Sequence, residues 1–462
     1  MSSDAPVLSV SPSTPFPLTR PSPGSPLASS SVPQNAALPR VFQPFAIRSI
    51  AFANRIFLSP MCQYSAASEG SEAGCANRWH TTHLEGFAAR GAGLVMTEAV
   101  AVQKDGRLSP QDLGLWNDKQ RDALKPIVEA IHAHGSKAGI QIGHAGRKSS
   151  TLPPWLATSP GDSHVAQADF GGWPDKVVGA SAVAYHAETY PHPKEMSVEE
   201  IATLKEDWVS AIKRADEAGF DVLELHFAHG YLVHNMLSPL SNQRDDEYGG
   251  SLENRLRLPL SLIALSRAAW SAHKPLFVRI SATEWHPSGE GSEEEGWKSW
   301  GLEQSKVLVR EAVKLGVDLV DVSSGGNAPD QEIKPGPLYQ VPLASAIRSA
   351  IHDIDYKAGD ENPHGVAALV SAVGLITTAD QAESVLQAGQ ADVITVGRQF
   401  LRDPCLVFTW AQDLGVAVSA PVQYQRAFTR MLKKKVPRDD QQCHHDLHHH
   451  LEEGEREQEK GK

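Results

Sequence analysis

The chain has 462 residues with a formal net charge of −12; 41 % of the residues are hydrophobic and 21 % are charged. That composition is typical of a globular protein, and the negative charge argues against nucleic acid or an anionic membrane surface as a partner. No apolar run approaches the roughly 18 residues of a membrane span. The four scattered cysteines and the absence of a visible secretory signal predict a cytoplasmic location.

Both ends of the chain are predicted to be disordered tails. Residues 1–38 are rich in Ser and Pro and poor in large apolar side chains, so they bury too little surface to offset their ordering entropy. Residues 433–462 are rich in Lys, His and Glu. The histidines of this segment, with Cys443, could bind a metal adventitiously, but a plain polar tail is favoured and no metal site is predicted. The folded domain is expected to span residues 39–432.

Between the tails, a unit of helix, glycine, short turn and apolar strand recurs along the chain. Its clearest copy begins with the capping box Ser197 to Glu200, continues as an amphipathic helix, stops at Gly219 and ends in the strand Val222–Leu225. Two further copies place Gly316 and Gly389 before apolar strands. The recurrence predicts parallel strands that alternate with helices.

Eight short apolar strands can be counted in this way. They are Ile56–Leu58, Leu94–Met96, Ala138–Ile142, Val222–Leu225, Leu276–Ile280, Leu319–Val322, Val370–Val373 and Val393–Val396. Eight such units predict an α/β fold, a single-domain (β/α)8 TIM barrel, with an open doubly wound sheet as the alternative. The Pro- and Gly-rich segment 153–193 is predicted to pass over the barrel mouth.

Chemically reactive side chains follow several of these strands, where the active sites of β/α barrels lie. His226, His229 and Tyr231 follow the fourth strand. Imidazole N–H groups can stabilise a developing oxyanion, and a phenol can deliver a proton. The alternative is that these are structural residues at a strand end.

A phosphate-bearing flat cofactor is suggested by four other strands. Gly374 follows the seventh strand and Gly397-Arg398 the eighth, which is where barrels commonly bind phosphate. Gln141 on the third strand and Arg279 on the fifth would face the ring of FMN. The alternatives are that the glycines are turn residues and that Arg279 pairs with a buried carboxylate such as Glu224.

Seven motifs between about residues 41 and 428 make the chain resemble the Old Yellow Enzyme family of FMN-dependent ene-reductases, in its thermophilic-like branch. The motifs are Ser59-Pro60-Met61-Cys62-Gln63-Tyr64-Ser65, the segment 141–148, His226 to Tyr231, Leu237 to Asn242, Tyr248 to Arg255, Val396-Gly397-Arg398 and Pro421-Val422-Gln423-Tyr424. Cys62 and the second histidine, His229, favour this branch.

The resemblance implies a role for each matching residue. It implies that FMN is bound by Ser59, Pro60, Met61, Cys62, Ala99, Gln141, Arg279, Gly397 and Arg398. His226 and His229 would bind the substrate carbonyl oxygen, Tyr231 would donate the proton, and Tyr64 would line the substrate pocket. Arg426 would reach the active site of a neighbouring subunit, which implies a homo-oligomer, a dimer or tetramer.

The activity that follows is reduction of α,β-unsaturated carbonyl compounds in two steps, with NADPH, or NADH, as the hydride donor. Two other kinds of protein stay open from the sequence. One is a flavin redox sensor without turnover, with Cys62 as its switch. The other is a barrel metallohydrolase with His226, His229 and His234 as ligands, which is disfavoured because the other strand ends offer Gln, Arg and Ser.

Overall fold

Eight parallel strands close into a barrel in the computed structural model, which describes residues 19, 21–27, 38–159, 161–352, 368–424 and 426–428. The strands are β1 Ile56–Leu58, β2 Leu94–Ala101, β3 Lys137–Gly143, β4 Val222–Phe227, β5 Leu276–Ser281, β6 Leu319–Ser323, β7 Leu369–Ala372 and β8 Val393–Val396. Each strand pairs with the next in sequence, and β8 pairs with β1 through Ile394 and Ile56. The predicted (β/α)8 barrel is confirmed, and the open-sheet alternative is wrong.

Helices follow every strand of the barrel. They are α1 Arg78–Ala89, α2 Asp118–Ala133, α3 Val198–Glu217, α4 Leu232–Leu237, α5 Leu252–Ala269, α6 Leu302–Lys314, α7 Val341–His352, α8 Ala379–Gln387, α9 Arg398–Arg402 and α10 Leu406–Asp413.

Shorter elements lie outside the barrel. The two-residue strands are Val178–Gly179 with Lys194–Glu195 and Gly291–Ser292 with Gly296–Trp297. The 3-10 helices are Arg40–Phe42, Gly70–Glu72, Lys104–Gly106, Gly146–Lys148, Pro154–Leu156, Ala168–Phe170, Pro174–Lys176 and Val422–Tyr424. The segment 153–193 contributes several of these pieces. No helix of the described residues is long and apolar enough to cross a membrane.

The predicted capping box begins α3. The Glu200 amide donates to Ser197 Oγ at 3.2 Å, and the Ser197 amide donates to Glu200 Oε2 at 2.7 Å. The predicted apolar face of α3 is fully buried, at Ile201, Leu204, Trp208, Ile212 and Ala215. The helix stops before Gly219, whose φ of +94° suits glycine.

An aspartate before alternate strands explains a further part of the repeat. Asp221, Asp318 and Asp392 accept the backbone N–H of the first or second residue of the preceding strand. Those bonds, at 2.8 to 3.0 Å, satisfy amides at the barrel's amino-terminal rim. The rim opposite the strand carboxyl ends is therefore built for stability, which leaves the other rim for chemistry.

A hairpin closes the amino-terminal end of the barrel. Strands Phe45–Ile47 and Ile50–Phe52 pair antiparallel, and the Phe52 ring packs 5.0 Å from the Phe57 ring of β1 at a tilt of 44°. The hairpin's apolar residues cluster with residues near the starts of the barrel strands, including Leu94, Val222 and Leu319. Because one end is filled by this core, the open end is the one that carries the strand carboxyl termini.

Part of the predicted disordered amino-terminal tail is ordered, so that prediction is wrong for residues 21–27. The Gly24 amide donates to Ser419 O at 2.9 Å, and the Leu27 amide donates to Ala417 O at 2.8 Å. The Asn54 side chain also donates to Gly24 O. These backbone bonds offset the ordering entropy although Leu27, the large apolar residue of the segment, stays exposed, which composition alone does not reveal. The carboxyl-terminal tail, 433–462, lies outside the described residues.

Candidate active site

The loop after β4 brings His226, His229 and Tyr231 into one cluster. His226 Nε2 lies 3.4 Å from His229 Nδ1, and the rings of His226 and Tyr231 meet edge to face at 4.9 Å. His229 has a φ of +61°, and Tyr231 stands immediately before α4. This turn lets residues three apart face each other, which a continued strand would not allow.

Burial keeps these three side chains uncharged. It lowers the pKa of His226, and it lowers the pKa of His229 to about 3, with further contributions from the cations Arg279 and Lys148. Burial, followed by Cys62 and Asp112, raises the pKa of Tyr231. At neutral pH each imidazole therefore has one N–H to donate, and the phenol keeps its proton.

A small cavity, here called the tyrosine cavity, opens beside the cluster. Its lining includes Tyr231, His226, Cys62 and Ala99. Asp112 also lines it, with both carboxylate oxygens bonded to Ser109. Burial, and then Glu98, raises the pKa of Asp112 to about 7. The cavity thus combines a neutral donor set with a carboxyl group that titrates near neutral pH.

A larger cavity, the arginine cavity, lies beside His229. The predicted site residues that line it are Ser59, Met61, His229, Arg279, Gly374, Gly397 and Arg398. Since His226 lines one cavity and His229 the other, the two cavities meet at the histidine pair.

The arginine cavity fits the predicted FMN in its shape and its charge. At Gly397 a β-carbon would lie 3.4 Å from Met61 Sδ, and at Gly374, with φ +114°, it would lie 2.5 Å from Gln340 Nε2. Both positions keep the wall of the cavity at backbone level. The Arg398 side chain stands at the start of α9 beside these glycines, where it can pair with phosphate.

Arg279 is paired with a buried carboxylate other than the one that the sequence suggested. Its Nε lies 2.8 Å from Asp321 Oδ2, and its Nη2 donates to Ser59 Oγ at 2.9 Å. Glu224 instead accepts a hydrogen bond from Gln141 Nε2 at 2.8 Å. Arg279 nevertheless lines the arginine cavity, so the pairing and a role in anion binding coexist.

Four predicted site residues line neither the tyrosine cavity nor the arginine cavity. Gln141 is buried and lines neither cavity, and Pro60 lines a small cavity inside the barrel together with Glu224. Tyr64 meets the Trp155 ring edge to face at 5.6 Å. Arg426 is exposed and lines neither cavity. A role in binding for each of these residues stays a prediction.

His234 does not join the other two histidines as the metal alternative requires. Its Nδ1 accepts the Gly230 amide at 3.0 Å, and its Nε2 lies 3.5 Å from Glu284 Oε1. In the part of the chain that the structure describes, no group of three His, Cys, Asp or Glu side chains is arranged to hold a metal ion. The contacts of His234 explain it as a structural residue of the loop.

Several residues of the site were not assigned from the sequence. They are Lys148, Asp112, Ser323, Tyr339, Gln340 and Arg402. Ser323 ends β6 and Lys148 follows β3, so their position at strand ends could have marked them. Asp112 and Tyr339 lie in irregular segments without a periodic pattern, so no local signal marks them.

Comparisons with known proteins give a family match and relatives that cover most of the chain. A model of the family described as NADH:flavin oxidoreductase / NADH oxidase matches residues 40–416. An NADH:flavin oxidoreductase of Gibberella zeae is 47 % identical over 397 residues, which are 86 % of this chain and 91 % of the relative. An NADPH dehydrogenase of a Geobacillus species is 38 % identical over 388 residues, 84 % of this chain and 98 % of the relative.

Solved structures support the same architecture. Morphinone reductase has a TM-score of 0.61 at 22 % identity, over 84 % of this chain and 93 % of its own. A 2-naphthoyl-CoA reductase complex has a TM-score of 0.64 at 21 % identity, over 80 % of this chain and 51 % of its own. At such identities the likeness shows the fold alone.

Proposed function

Because this chain belongs to the NADH:flavin oxidoreductase / NADH oxidase family, it is an FMN-dependent oxidoreductase that uses NAD(P)H, and we propose that it is an ene-reductase. The resemblance to the Old Yellow Enzyme family is thereby confirmed. The proposed substrates are α,β-unsaturated carbonyl compounds, whose activated C=C bond is reduced. NADPH is the proposed hydride donor, as the names of several relatives suggest.

One observation carries this proposal: two neutral imidazoles and a protonated phenol lie together where the two cavities meet. His226 Nε2 and His229 Nδ1 are 3.4 Å apart, so one carbonyl oxygen can approach both. Ser323 Oγ lies 2.8 Å from His229 Nε2. When the Ser323 hydroxyl donates there, the ring proton is on Nδ1, facing His226.

The roles of the residues follow from their charge states. Bound FMN would supply the hydride chemistry that links the nicotinamide to the second substrate. His226 and His229 donate hydrogen bonds to the carbonyl oxygen, which stabilises the negative charge that develops there. Tyr231 donates the proton to the α-carbon, since burial leaves its phenol protonated at neutral pH.

Two substitutions test this assignment in FMN-loaded enzyme. We expect His226→Ala to slow 2-cyclohexenone reduction by about 100- to 1,000-fold, while reduction of the flavin by NADPH continues. We expect Tyr231→Phe to slow the same step by roughly 100- to 10,000-fold, because it removes the proton donor and keeps the ring. Rapid-mixing absorbance at the flavin band measures both steps separately.

A matched control is Tyr248→Phe, since Tyr248 is also buried but bonds to Lys205 away from both cavities. That variant should reduce cyclohexenone at the wild-type rate. Near-normal enone reduction by both His226→Ala and Tyr231→Phe would reject the proposed function.

The redox-sensor alternative is less well supported. Burial raises the pKa of the Cys62 thiol, with the carboxylates Asp112 and Glu98 adding to the effect. The thiolate is the reactive form of cysteine, so a raised pKa makes Cys62 a poor switch at neutral pH. The intact donor set beside it supports turnover instead.

The oligomeric state and the location are also proposals. Arg426 is exposed and reaches neither cavity of its own chain, so it is free to serve a neighbouring subunit in a dimer or tetramer. Phe428 packs on its own chain, 4.6 Å from the ring of Phe408. Light scattering on the purified enzyme would establish the assembly, and the cytoplasmic location stays a prediction.

A further inference from the structure

The main chain of His229 is held in an uncommon conformation. Its φ of +61° lies in the left-handed region, which residues with a β-carbon adopt only when their surroundings hold them there. The His229 amide is fixed by Ser281 Oγ at 2.9 Å. The carbonyl of the same residue therefore needs a partner of its own if the imidazole is to keep one place.

The loop that carries His229 packs against a second loop, main chain to main chain. A β-carbon on Gly230 would lie 2.1 Å from Gly326 O, and one on Gly326 would lie 2.6 Å from His229 Cα. No side chain fits between these loops, which follow β4 and β6. Any donor for their facing carbonyls must reach in from elsewhere.

Lys148, from the 3-10 helix after β3, supplies this donor. Its Nζ donates to His229 O at 3.0 Å and also to Gly326 O. The ammonium lies 4.0 Å from the centre of the Tyr185 ring and 5.9 Å from that of Tyr231. Within the described residues, no carboxylate forms an ion pair with it, so backbone carbonyls and ring faces are its partners.

We propose that Lys148 is a positioning residue for the reaction: it joins the loops after β4 and β6 and thereby fixes the His229 imidazole opposite His226. The inference rests on the proposed role of His229 as a donor to the carbonyl oxygen. If the imidazole moves by a fraction of an ångström, its hydrogen bond to the carbonyl oxygen lengthens. The reaction then slows, because this bond stabilises the charge that develops in the transition state.

Other contacts keep the loops folded without Lys148. Asn235 Nδ2 donates to Gly230 O at 2.9 Å and to Asn327 Oδ1 at 3.0 Å. Arg147 donates to Asn327 O across the same seam. Replacing Lys148 therefore shifts the His229 carbonyl and leaves the barrel and its cofactor site assembled.

The test compares Lys148→Met, which keeps the side-chain length and loses the donors, with Lys148→Arg, which restores them. Lys213→Met is the control, because Lys213 is exposed on α3. For each FMN-loaded variant, the rates of flavin reduction by NADPH and of cyclohexenone reduction are measured separately. Calorimetry measures the dissociation constant of cyclohexanone, which presents the carbonyl oxygen without a reducible bond.

We expect Lys148→Met to slow the cyclohexenone step about 10- to 100-fold and to weaken cyclohexanone binding, while flavin reduction by NADPH and FMN content stay at wild-type levels. Lys148→Arg should recover most of both losses, and Lys213→Met should show neither.

Two results would overturn the inference. One is that Lys148→Met reduces cyclohexenone at the wild-type rate although His229→Ala reduces it slowly. The other is an equal loss in both half-reactions together with loss of FMN, which would mean a general structural role. A normal enone step in His229→Ala would instead reject the proposed function itself, so the two failures are distinguishable.

Discussion

At the residue scale, burial determines what each side chain of the site can do. The histidines at 226 and 229 lose their affinity for a proton, and the phenol of Tyr231 holds its proton more tightly. Both effects have one cause, since a low-dielectric environment disfavours the charged form of any group. The result is a set of neutral hydrogen-bond donors, which suits an uncharged carbonyl substrate.

Asp112 shows the same effect with a consequence for stability. Its pKa is raised to about 7 in the folded protein, against about 3.9 for an unfolded aspartate. Between those values the folded state holds a proton that the unfolded state has lost. The free energy of unfolding therefore falls as pH rises from about 4 to about 7, by up to roughly 1.4 kcal/mol per pH unit.

We predict that Asp112→Asn removes this pH dependence, because the amide does not titrate. The Tm of the FMN-loaded wild type relative to that of Asp112→Asn should fall between pH 5 and pH 8, as measured by differential scanning calorimetry. Parallel Tm profiles for the two proteins would show that Asp112 ionises in the folded state as it does in water.

At the element scale, a short irregular segment packs against the regular elements of the barrel and is bonded to them. The strap formed by residues 21–27 lies against residues 417–419 and against Gly91 at the end of α1. A β-carbon on Gly24 would lie only 2.2 Å from Gly91 O. The backbone of the strap therefore lies so close to the backbone at Gly91 that position 24 has no room for a side chain.

We predict that Gly24→Ala destabilises the protein more than Gly70→Ala. Both glycines have positive φ, +77° and +72°, so both variants carry a similar backbone cost of roughly 1–2 kcal/mol. A β-carbon on Gly70 meets nothing within 4 Å, whereas one on Gly24 adds an overpacking cost of about 1–3 kcal/mol.

Thermal unfolding of the two variants measures this difference, since the matched φ cancels the backbone contribution. The Tm of Gly24→Ala should lie a few degrees below that of Gly70→Ala. Equal Tm values would mean that the strap yields to a methyl group at no cost.

At the scale of the whole molecule, closure of the barrel brings eight strand ends to one rim. Residues of β5, β6 and β8 and of the loops after β1, β7 and β8 line the arginine cavity together. A cofactor held there contacts elements from most of the chain. Binding that occurs only in the folded state stabilises it, by about 2.7 kcal/mol at a ligand concentration of 100 Kd.

We predict that FMN raises the Tm of the apoprotein more than riboflavin does, because riboflavin lacks the phosphate that Arg398 and the neighbouring glycine loops are placed to bind. Arg398→Ala should weaken FMN binding by about 10- to 100-fold, the effect of losing a charge-assisted hydrogen bond. Riboflavin binding should be unchanged in the same variant.

Fluorescence titration of wild-type and Arg398→Ala apoprotein, each with FMN and with riboflavin, gives the four dissociation constants. Equal weakening of FMN and riboflavin by Arg398→Ala would place the phosphate elsewhere in the cavity. The riboflavin arm is the internal control, since it reports any general damage to the site.

The barrel and the chemistry of its rim could be predicted from the amino-acid sequence. Apolar strands, glycine stops and capping residues are local features, because hydrogen bonding and burial within one unit depend on neighbouring residues. The presence and order of the strands, the capping box of α3 and the closeness of His226, His229 and Tyr231 follow from such local patterns, whereas several strands are longer than predicted.

Only the tertiary structure decided which distant groups meet. It paired Arg279 with Asp321, ordered the strap of residues 21–27 against residues 417–419, and placed Lys148 between two loops of other strands. These contacts join residues far apart in the chain, and a polar side chain in a loop carries no periodic signal of its partner. Their energies also depend on burial, which exists only after the barrel has closed.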